Sequence, residues 1–159
     1  MQDVKRRVCC FFGHRSVYDK DGSLFESLVG ETERLIEKGF NEFIFGGYGD
    51  FDSLAYKAVN VLKTKYLYIK TVYVQAYYKS KDESAEIIRK LYDTVIYPDI
   101  EGKPKKLAII YRNQAIIDIS DFCIFYVNQS YGGALQAMQY AKRKKKMFMN
   151  LAEQIVTED

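Results

Sequence analysis

Several features common in enzymes, metalloproteins and membrane proteins are scarce in this 159-residue chain. It has one histidine, and its three cysteines form no Cys-x-x-Cys pair, so no metal site is predicted. It contains no run of about 18 consecutive apolar residues, so no membrane-spanning helix is predicted. The sequence also lacks the Gly-x-Gly-x-x-Gly dinucleotide fingerprint and the Walker lysine pattern. It therefore predicts no metal, no cofactor and no contact with a membrane.

The net charge and the cysteines indicate the class of protein and its cellular compartment. The formal net charge is only +3, which argues weakly against a dedicated nucleic-acid binder. Cys9 and Cys10 are adjacent in a predicted strand, and Cys123 lies in another apolar run. Such thiols pack as small hydrophobic groups in a reducing compartment. We therefore expect a cytoplasmic protein whose cysteines are reduced and take no part in catalysis.

The hydrophobic content is high enough for a packed core. With 48% hydrophobic and 28% charged residues, the chain is predicted to form one domain over residues 1–159. Short apolar runs alternate with helical patterns, which predicts an α/β, Rossmann-like fold with a mostly parallel sheet and helices on both faces. Predicted strands span 7–13, 42–47, 66–77, 93–98, 121–127 and 147–151. Predicted helices span 24–36, 54–62, 79–91, 106–120 and 134–146, with a loop at 99–105.

Three glycine-containing loops are predicted at one edge of this sheet. Ligands of open parallel sheets bind beyond the carboxyl ends of the strands. The loops there hold Gly13, His14 and Arg15 after the first strand, residues 46–52 after the second, and residues 130–133, with Gly132 and Gly133, before the last helix. Glycine allows close approach of a ligand, and helix N-termini favour phosphate. Any one loop could be an ordinary turn, but together with Arg15 they predict an anionic-ligand site.

The stretch "FIFGGYGDFDSLAYKAV" (43–59) has the strongest signal, with Gly46, Gly47 and Gly49 in four residues. We predict that these glycines let the backbone approach a ligand and that the turn is the centre of the site. Asp50 and Asp52 follow at the start of a helix. Either would cap the helix by accepting N–H bonds, or one would bind a ribose hydroxyl while a phosphate sits on another loop.

Three polar residues have open interpretations. Asn113 falls on a mostly apolar helical stripe, so it is expected either to hydrogen-bond a loop backbone or to face the ligand. Arg112 could be an ordinary solvated arginine, but we predict that it faces the same cleft as Arg15, where both could pair with phosphate. His14 could be a general base, although residue type favours a packing role.

Four segments resemble the YpsA-like branch of the SLOG superfamily, which groups DprA/Smf proteins with the lysine decarboxylase-like (LOG) phosphoribohydrolases. The segments are "FFGHRS" (11–16), "FIFGGYGDFDSLAYKAV" (43–59), "YRNQAIIDISDFCIFYV" (111–127) and "YGGALQAMQYAKRKKK" (131–146). The resemblance covers nearly the whole chain. It implies a Rossmann-like fold, no established reaction, and a site for a nucleotide or nucleotide derivative. The site residues it implies are Gly13, His14, Arg15, Gly46, Gly49, Asp52, Arg112, Asn113, Gly132 and Gly133.

Two departures from the family pattern bear on catalysis. Ala134 follows the last glycine pair, where such proteins often have threonine, so a phosphate-facing hydroxyl is missing. The LOG turn Gly-Gly-x-Gly-Thr-x-x-Glu carries a catalytic glutamate. Aligning the glycines places Asp50 at its threonine and Ser53 at its glutamate. The departures argue against hydrolysis of an N-glycosidic bond by the LOG mechanism.

The leading hypothesis is a nucleotide-binding protein that acts as a sensor or a sequestering module. The first rival is a nucleotide N-glycosidase, with Asp50 or Asp52 as the catalytic carboxylate. The second is a DprA-like single-stranded DNA binder, which the modest charge disfavours; the basic run 142–146 is expected to be a solvated helix end. The 15% aromatic content would suit apolar surface hidden in a homodimer or a larger homo-oligomer.

Overall fold

The computed structural model of the chain describes residues 5–76, 83–98 and 102–154. Six strands and six helices alternate along these residues. The strands are β1 Val8–Gly13, β2 Glu42–Phe45, β3 Lys70–Val74, β4 Thr94–Ile96, β5 Phe122–Tyr126 and β6 Met147–Asn150. The helices are α1 Ser23–Glu37, α2 Asp50–Lys63, α3 Glu83–Leu91, α4 Lys105–Ile119, α5 Gly133–Arg143 and α6 Leu151–Gln154.

All six strands pair in parallel, in the order β4-β3-β2-β1-β5-β6. The chain moves outward from β1 to β4 and then crosses back to place β5 on the free side of β1. Cys10 of β1 is consequently aligned with Ile44 of β2 on one side and Cys123 of β5 on the other. This reversal of strand order makes the carboxyl ends of β1 and β5 the topological switch point, where open α/β sheets bind ligands.

Helices cover both faces of the sheet. On one face, Leu28 of α1 and Val59 of α2 pack in one cluster with strand residues such as Phe43. On the other face, α4 and α5 pack through residues such as Ile117 and Ala137. The predicted α/β architecture, with a parallel sheet between two helical layers, is confirmed.

All six predicted strands and five predicted helices occur, although several bounds differ; the helix predicted at 54–62, for example, begins at Asp50. The strand predicted at 66–77 is shorter, because Tyr66 N–H donates to Leu62 O as α2 ends and Ile69 N–H donates to Tyr66 O in a turn. The short helix α6 was not predicted. Parts of the predictions at 66–77, 79–91 and 99–105, namely residues 77, 79–82 and 99–101, lie outside the described residues.

The three cysteines are buried and free, as predicted. Burial raises the pKa of the Cys9 and Cys10 thiols well above their ordinary value, which keeps them protonated. Within the described ranges, no helix combines the length and apolar character needed to cross a membrane.

Asn150 at the end of β6 fixes the carboxyl end of β5. Its Nδ2 donates to Val127 O and its Oδ1 accepts from Val127 N, both at 2.9 Å, and Oδ1 also accepts from Ala152 N at 3.2 Å. The side chain is buried, so these groups have little access to water. The amide therefore holds the start of the loop that leads from β5 to α5.

We expect Asn150→Ala to lower the free energy of unfolding by about 2–4 kcal/mol, because it leaves the N–H and C=O of Val127 without partners in a buried position. Urea unfolding measures the loss. Asn60→Ala is the control, because it removes the same chemical group from a half-buried position in α2. It should lower the free energy of unfolding much less. Equal losses in the two variants would show that Asn150 does not clamp this loop.

Candidate functional site

A cavity of about 600 Å³ opens at the carboxyl edge of the sheet, across the ends of β1, β2 and β5. This volume falls within the range of small-molecule sites. The lining comes from four segments of the chain: the loop after β1, the loop after β2, the middle of α4 and the start of α5. Its residues are Phe11, Phe12, Gly13, His14, Arg15, Ser16, Gly46, Tyr48, Asp52, Ile109, Arg112, Asn113, Gln129, Tyr131, Gly132, Gly133 and Ala134.

The end of β1 is packed tightly against α2. A Cβ atom added at Gly13 would lie 2.2 Å from Cγ of Phe51, so this position has no room for a side chain. Phe51 itself is fully buried and stacks against Tyr126. The glycine therefore lets the helix approach the end of the central strand.

His14 connects the two loops at the switch point. Its Nε2 accepts a hydrogen bond from the backbone N–H of Asn128 at 2.9 Å, so its proton is on Nδ1. Burial lowers the pKa of this imidazole, which keeps it neutral. Because Nε2 is already occupied, the geometry supports the predicted packing role over that of a general base at this nitrogen.

Arg112 is buried, with only 8% of its surface exposed, and is not the solvated residue that the sequence left open. Its Nη1 donates to Gly46 O at 2.9 Å, and its Nε and Nη2 donate to Asn113 Oδ1 at 3.2 and 3.1 Å. A Cβ atom at Gly46 would lie 3.1 Å from Nη2, so the glycine makes room for the guanidinium. Asn113 thus bonds its neighbour and lines the cavity, so of the two interpretations left open, the one in which it faces a ligand fits the geometry.

Arg15 is exposed and lies in the same cavity as Arg112, which confirms that the two arginines face one cleft. Its guanidinium carbon is 4.5 Å from the centroid of the Tyr48 ring, a cation–π arrangement. The cavity therefore has one arginine fixed in its wall and a second held over an aromatic ring at its mouth.

Gly47 and Gly49 do not line the cavity, contrary to the expectation that they admit a ligand. Both have positive φ, 70° and 97°. A Cβ atom at Gly47 would lie 2.1 Å from Cε2 of Tyr73, and one at Gly49 would lie 2.9 Å from Cα of Arg15. Backbone geometry and packing explain these two glycines, so only Gly46 and Tyr48 of the glycine turn, with Asp52 beyond it, reach the site.

The prediction that Asp50 or Asp52 caps α2 is also wrong. The cap position of α2 is Gly49, and no side chain makes a capping hydrogen bond there. Asp50 instead accepts from Val17 N–H at 3.1 Å, which ties the end of the first loop to α2. Because Asp50 lies outside the cavity lining, Asp52 is the candidate carboxylate that remains in the site.

Asp52 is almost completely buried, and burial raises its pKa to about 7. The positive charge of Arg112 and hydrogen bonds from the Gly46 and Gly47 backbone oppose this shift without cancelling it. Burial raises the pKa values of nearby Tyr73 and Tyr92, and the negative charge of Asp52 adds to both shifts. Asp52 can therefore gain or lose a proton near neutral pH.

The start of α5 differs from the start of α2 in charge and access. The first turn of α5 contains no acidic residue, and its cap position, Gly132, provides no side-chain hydrogen bond. Cβ atoms added at Gly132 or Gly133 would meet nothing within 4 Å, so the backbone is open to the cavity. Free N–H groups and the positive end of the helix dipole favour an anion here.

Sequence reasoning did not identify Tyr48, Gln129 and Tyr131 as site residues. Tyr48 lies within the predicted glycine turn, and the other two are within four positions of Gly133. Tyr48 and Tyr131 are exposed aromatic residues beside the cavity, and that exposure is a property of the folded chain. Their position next to glycines was the available signal.

Solved structures that share this fold include the following three. The first is DNA processing protein A (DprA) from Streptococcus pneumoniae, with a TM-score of 0.68 and 15% identity over 91% of this chain. DprA from Helicobacter pylori, solved to explain its single-stranded DNA binding mode, gives a TM-score of 0.64 and 15% identity over 89%. The protein TM1055 gives 0.61 and 10% identity over 94%, and is matched over 79% of its own length.

At these identities the similarity shows the fold. The Rossmann-like fold that the SLOG resemblance implied is thus confirmed, while the YpsA-like branch stays a prediction. This chain spans 50% of the Streptococcus protein and 63% of the Helicobacter protein. No protein-family model and no curated protein sequence matches the chain.

The raised pKa of Asp52 predicts how stability changes with pH. Between the ordinary value of 3.8 and about 7, the folded chain holds a proton that the unfolded chain has released, so stability falls as pH rises. Asp52→Asn removes this dependence. Relative to the wild type, the variant should gain up to about 4 kcal/mol between pH 4 and pH 8.

Urea unfolding of both proteins at pH 4, 6 and 8 gives the difference at each pH, in which the contributions of other groups cancel. A difference that stays constant, or that runs in the opposite direction, would show that pairing with Arg112 outweighs burial and holds the pKa of Asp52 at or below its ordinary value.

Proposed function

We propose that this chain binds a nucleotide or nucleotide derivative in the cavity at the switch point and acts as a sensor or a sequestering module. One observation carries the proposal: the glycine start of α5 opens into the same cavity as Arg15 and Arg112. A phosphate at the helix start would meet free N–H groups and the positive end of the helix dipole. The free buried thiols support a cytoplasmic setting.

The distribution of charge supports this placement of the phosphate. The two acidic residues of the glycine turn belong to the start of α2, whereas the start of α5 has none. A phosphate on α5 therefore avoids direct contact with the first-turn carboxylates of α2. Arg15 offers further donors to the anion, because a guanidinium suits phosphate geometry. Arg112 adds its positive charge from the cavity wall, since its three nitrogens already donate to Gly46 and Asn113.

The remaining surfaces suit a nucleoside. Tyr48 and Tyr131 are 56% and 69% exposed and give rings on which a base can stack. Asp52 already accepts from the glycine backbone beside Arg112, and its two oxygens keep further acceptor sites for a ribose hydroxyl, as acidic groups do in dinucleotide sites. Ala134 lines the cavity without the hydroxyl that related sequences often place there, so the backbone carries more of the phosphate recognition.

Hydrolysis of a nucleotide N-glycosidic bond is the second candidate, and the pKa of Asp52 near 7 favours it, because a carboxyl group that titrates there can act as a general acid. Two features oppose it. Ser53, which aligns with the catalytic glutamate of LOG enzymes, lies outside the cavity lining. Asp52 is already engaged by Arg112 and the glycine backbone. Incubation with the nucleoside 5′-monophosphates should release no free base on chromatography; release would establish the hydrolase.

Single-stranded DNA binding is the third candidate, favoured by the two DprA structures among the fold neighbours. If it holds, an electrophoretic shift with single-stranded DNA should weaken steeply between low and physiological salt, as counterion release requires. If the ligand is a small nucleotide, no shift is expected at physiological salt. A shift that persists there would replace the small-nucleotide proposal.

Gly133→Val tests the phosphate position directly. A Cβ atom at this position meets no protein atom within 4 Å and φ is not positive, so the backbone accepts a side chain here and folding should be nearly unaffected. The same side chain would occupy the space in front of the helix N–H groups. Calorimetric affinity for the nucleoside monophosphate that binds best should fall about tenfold or more.

Gly30→Val in α1 is the matched control, because a Cβ atom there also meets nothing within 4 Å and the residue is far from the cavity. Thermal unfolding should be similar for the two variants, and only Gly133→Val should lose nucleotide affinity. A folded Gly133→Val protein with unchanged affinity would exclude the start of α5 as the phosphate site.

A further inference from the structure

A second, smaller cavity of about 270 Å³ lies between α4 and α5 and adjoins the first. Asn113 and Gly133 line both, so the two cavities meet at the open start of α5. Its lining residues are Ile110, Asn113, Gln114, Ile117, Gly133, Gln136, Ala137, Gln139, Tyr140 and Arg143. A ligand phosphate at Gly133 would therefore stand at the junction of two cavities.

The second cavity suits an uncharged, flat, hydrogen-bonding group. Three glutamine amides line it, Gln114 from α4 and Gln136 and Gln139 from α5, and each offers both donors and an acceptor. Buried Ile117 and Ala137 give it an apolar floor. No acidic residue occurs among its described lining residues, and only Arg143 carries a charge.

Tyr140 gives this cavity a fixed aromatic wall. Its hydroxyl donates to Asp118 Oδ1 at 2.7 Å, which holds the side chain in place. An aromatic wall beside amide groups is the combination that recognises a nucleobase, by ring contact and by hydrogen bonds to its edge. The second cavity has one arginine, Arg143, whereas the first has two, so the second is less suited to a phosphate.

We infer that the second cavity is a subsite for a second nucleoside, so that the ligand is two nucleosides joined by a phosphate bridge that lies at Gly133. This inference rests on the proposed function, because it places the bridging phosphate at the phosphate position proposed there. The first nucleoside occupies the larger cavity between Tyr48 and Tyr131. The second lies between the glutamines of α4 and α5.

Two sources offer this chemistry, a free dinucleotide and a short stretch of single-stranded nucleic acid. Calorimetry with each 5′-mononucleotide, the matching 3′–5′ and 5′–5′ linked dinucleotides, and a hexanucleotide separates them. A dinucleotide should bind about tenfold or more tightly than its mononucleotide. A hexanucleotide that binds more tightly still assigns the source to nucleic acid, and one that binds no better than the dinucleotide assigns it to a free dinucleotide.

The double variant Gln114→Ala/Gln139→Ala removes amides from both walls of the second cavity without changing the net charge. It should return dinucleotide affinity to the mononucleotide level and leave mononucleotide affinity unchanged. Asn60→Ala, which removes an amide from α2 on the opposite face, should alter neither. Thermal unfolding of the variants checks that they are folded.

Mononucleotide binding without a gain for any dinucleotide would overturn the second subsite and leave the proposed function standing. A gain that survives in the folded double variant would also overturn it. If neither mononucleotides nor dinucleotides bind, both the subsite and the proposed function fail. Light scattering shows whether the chain dimerises. If the dinucleotide gain is lost only in the dimer, the second cavity is covered by a second copy of the chain, and the subsite is overturned.

Discussion

The site depends on the pairing of β1 with β2 on one side and β5 on the other. Because the chain reverses its direction of travel across the sheet at β1, the loops that follow β1 and β5 diverge to opposite faces and leave a crevice between them. Gly13 allows Phe51 to pack against the end of β1, and the bond from Asn128 N–H to His14 Nε2 joins the two loops. The parallel sheet thus both creates the cavity and fixes its walls.

The glycine turn and the start of α5 differ in charge: the turn surrounds a buried arginine, and the start of α5 is where an anion is expected. Around the turn, Gly46 makes room for Arg112, and Asp52 lies beside that guanidinium with a pKa that burial raises to about 7. The turn is a support for a cation in the cavity wall, and its carboxylate does not conflict with an anionic ligand. The anion is instead expected at Gly132 and Gly133, where the backbone is open and no acidic residue follows.

The layout of the fold could be predicted from the sequence because it depends on local patterns. Apolar runs such as 121–127 predict buried parallel strands, and helical spacing between them predicts covering helices. Arg15 could be placed at this edge of the sheet for the same reason, because it follows the end of β1, whereas the position of Arg112 in the middle of α4 depends on how that helix packs. The resemblance to SLOG proteins added the expectation of a nucleotide ligand to this layout.

The roles of individual glycines could not be predicted, because they depend on residues distant in the chain. Gly47 makes room for the ring of Tyr73, on the next strand, and Gly49 lies against the backbone of Arg15. An excess of glycine in one turn is equally compatible with a ligand and with such neighbours. The burial of Arg112 was hidden for the same reason, because its partner Gly46 lies 66 positions earlier.

The most direct test of the account is a titration of isotope-labelled protein with nucleoside 5′-monophosphates, followed through backbone amide resonances. If the phosphate binds at the start of α5, the amides of Gly132, Gly133 and Ala134 should shift most, with smaller changes at Gly46 and Arg15. Saturable shifts confined to other parts of the chain, or no shifts at millimolar nucleotide, would contradict it.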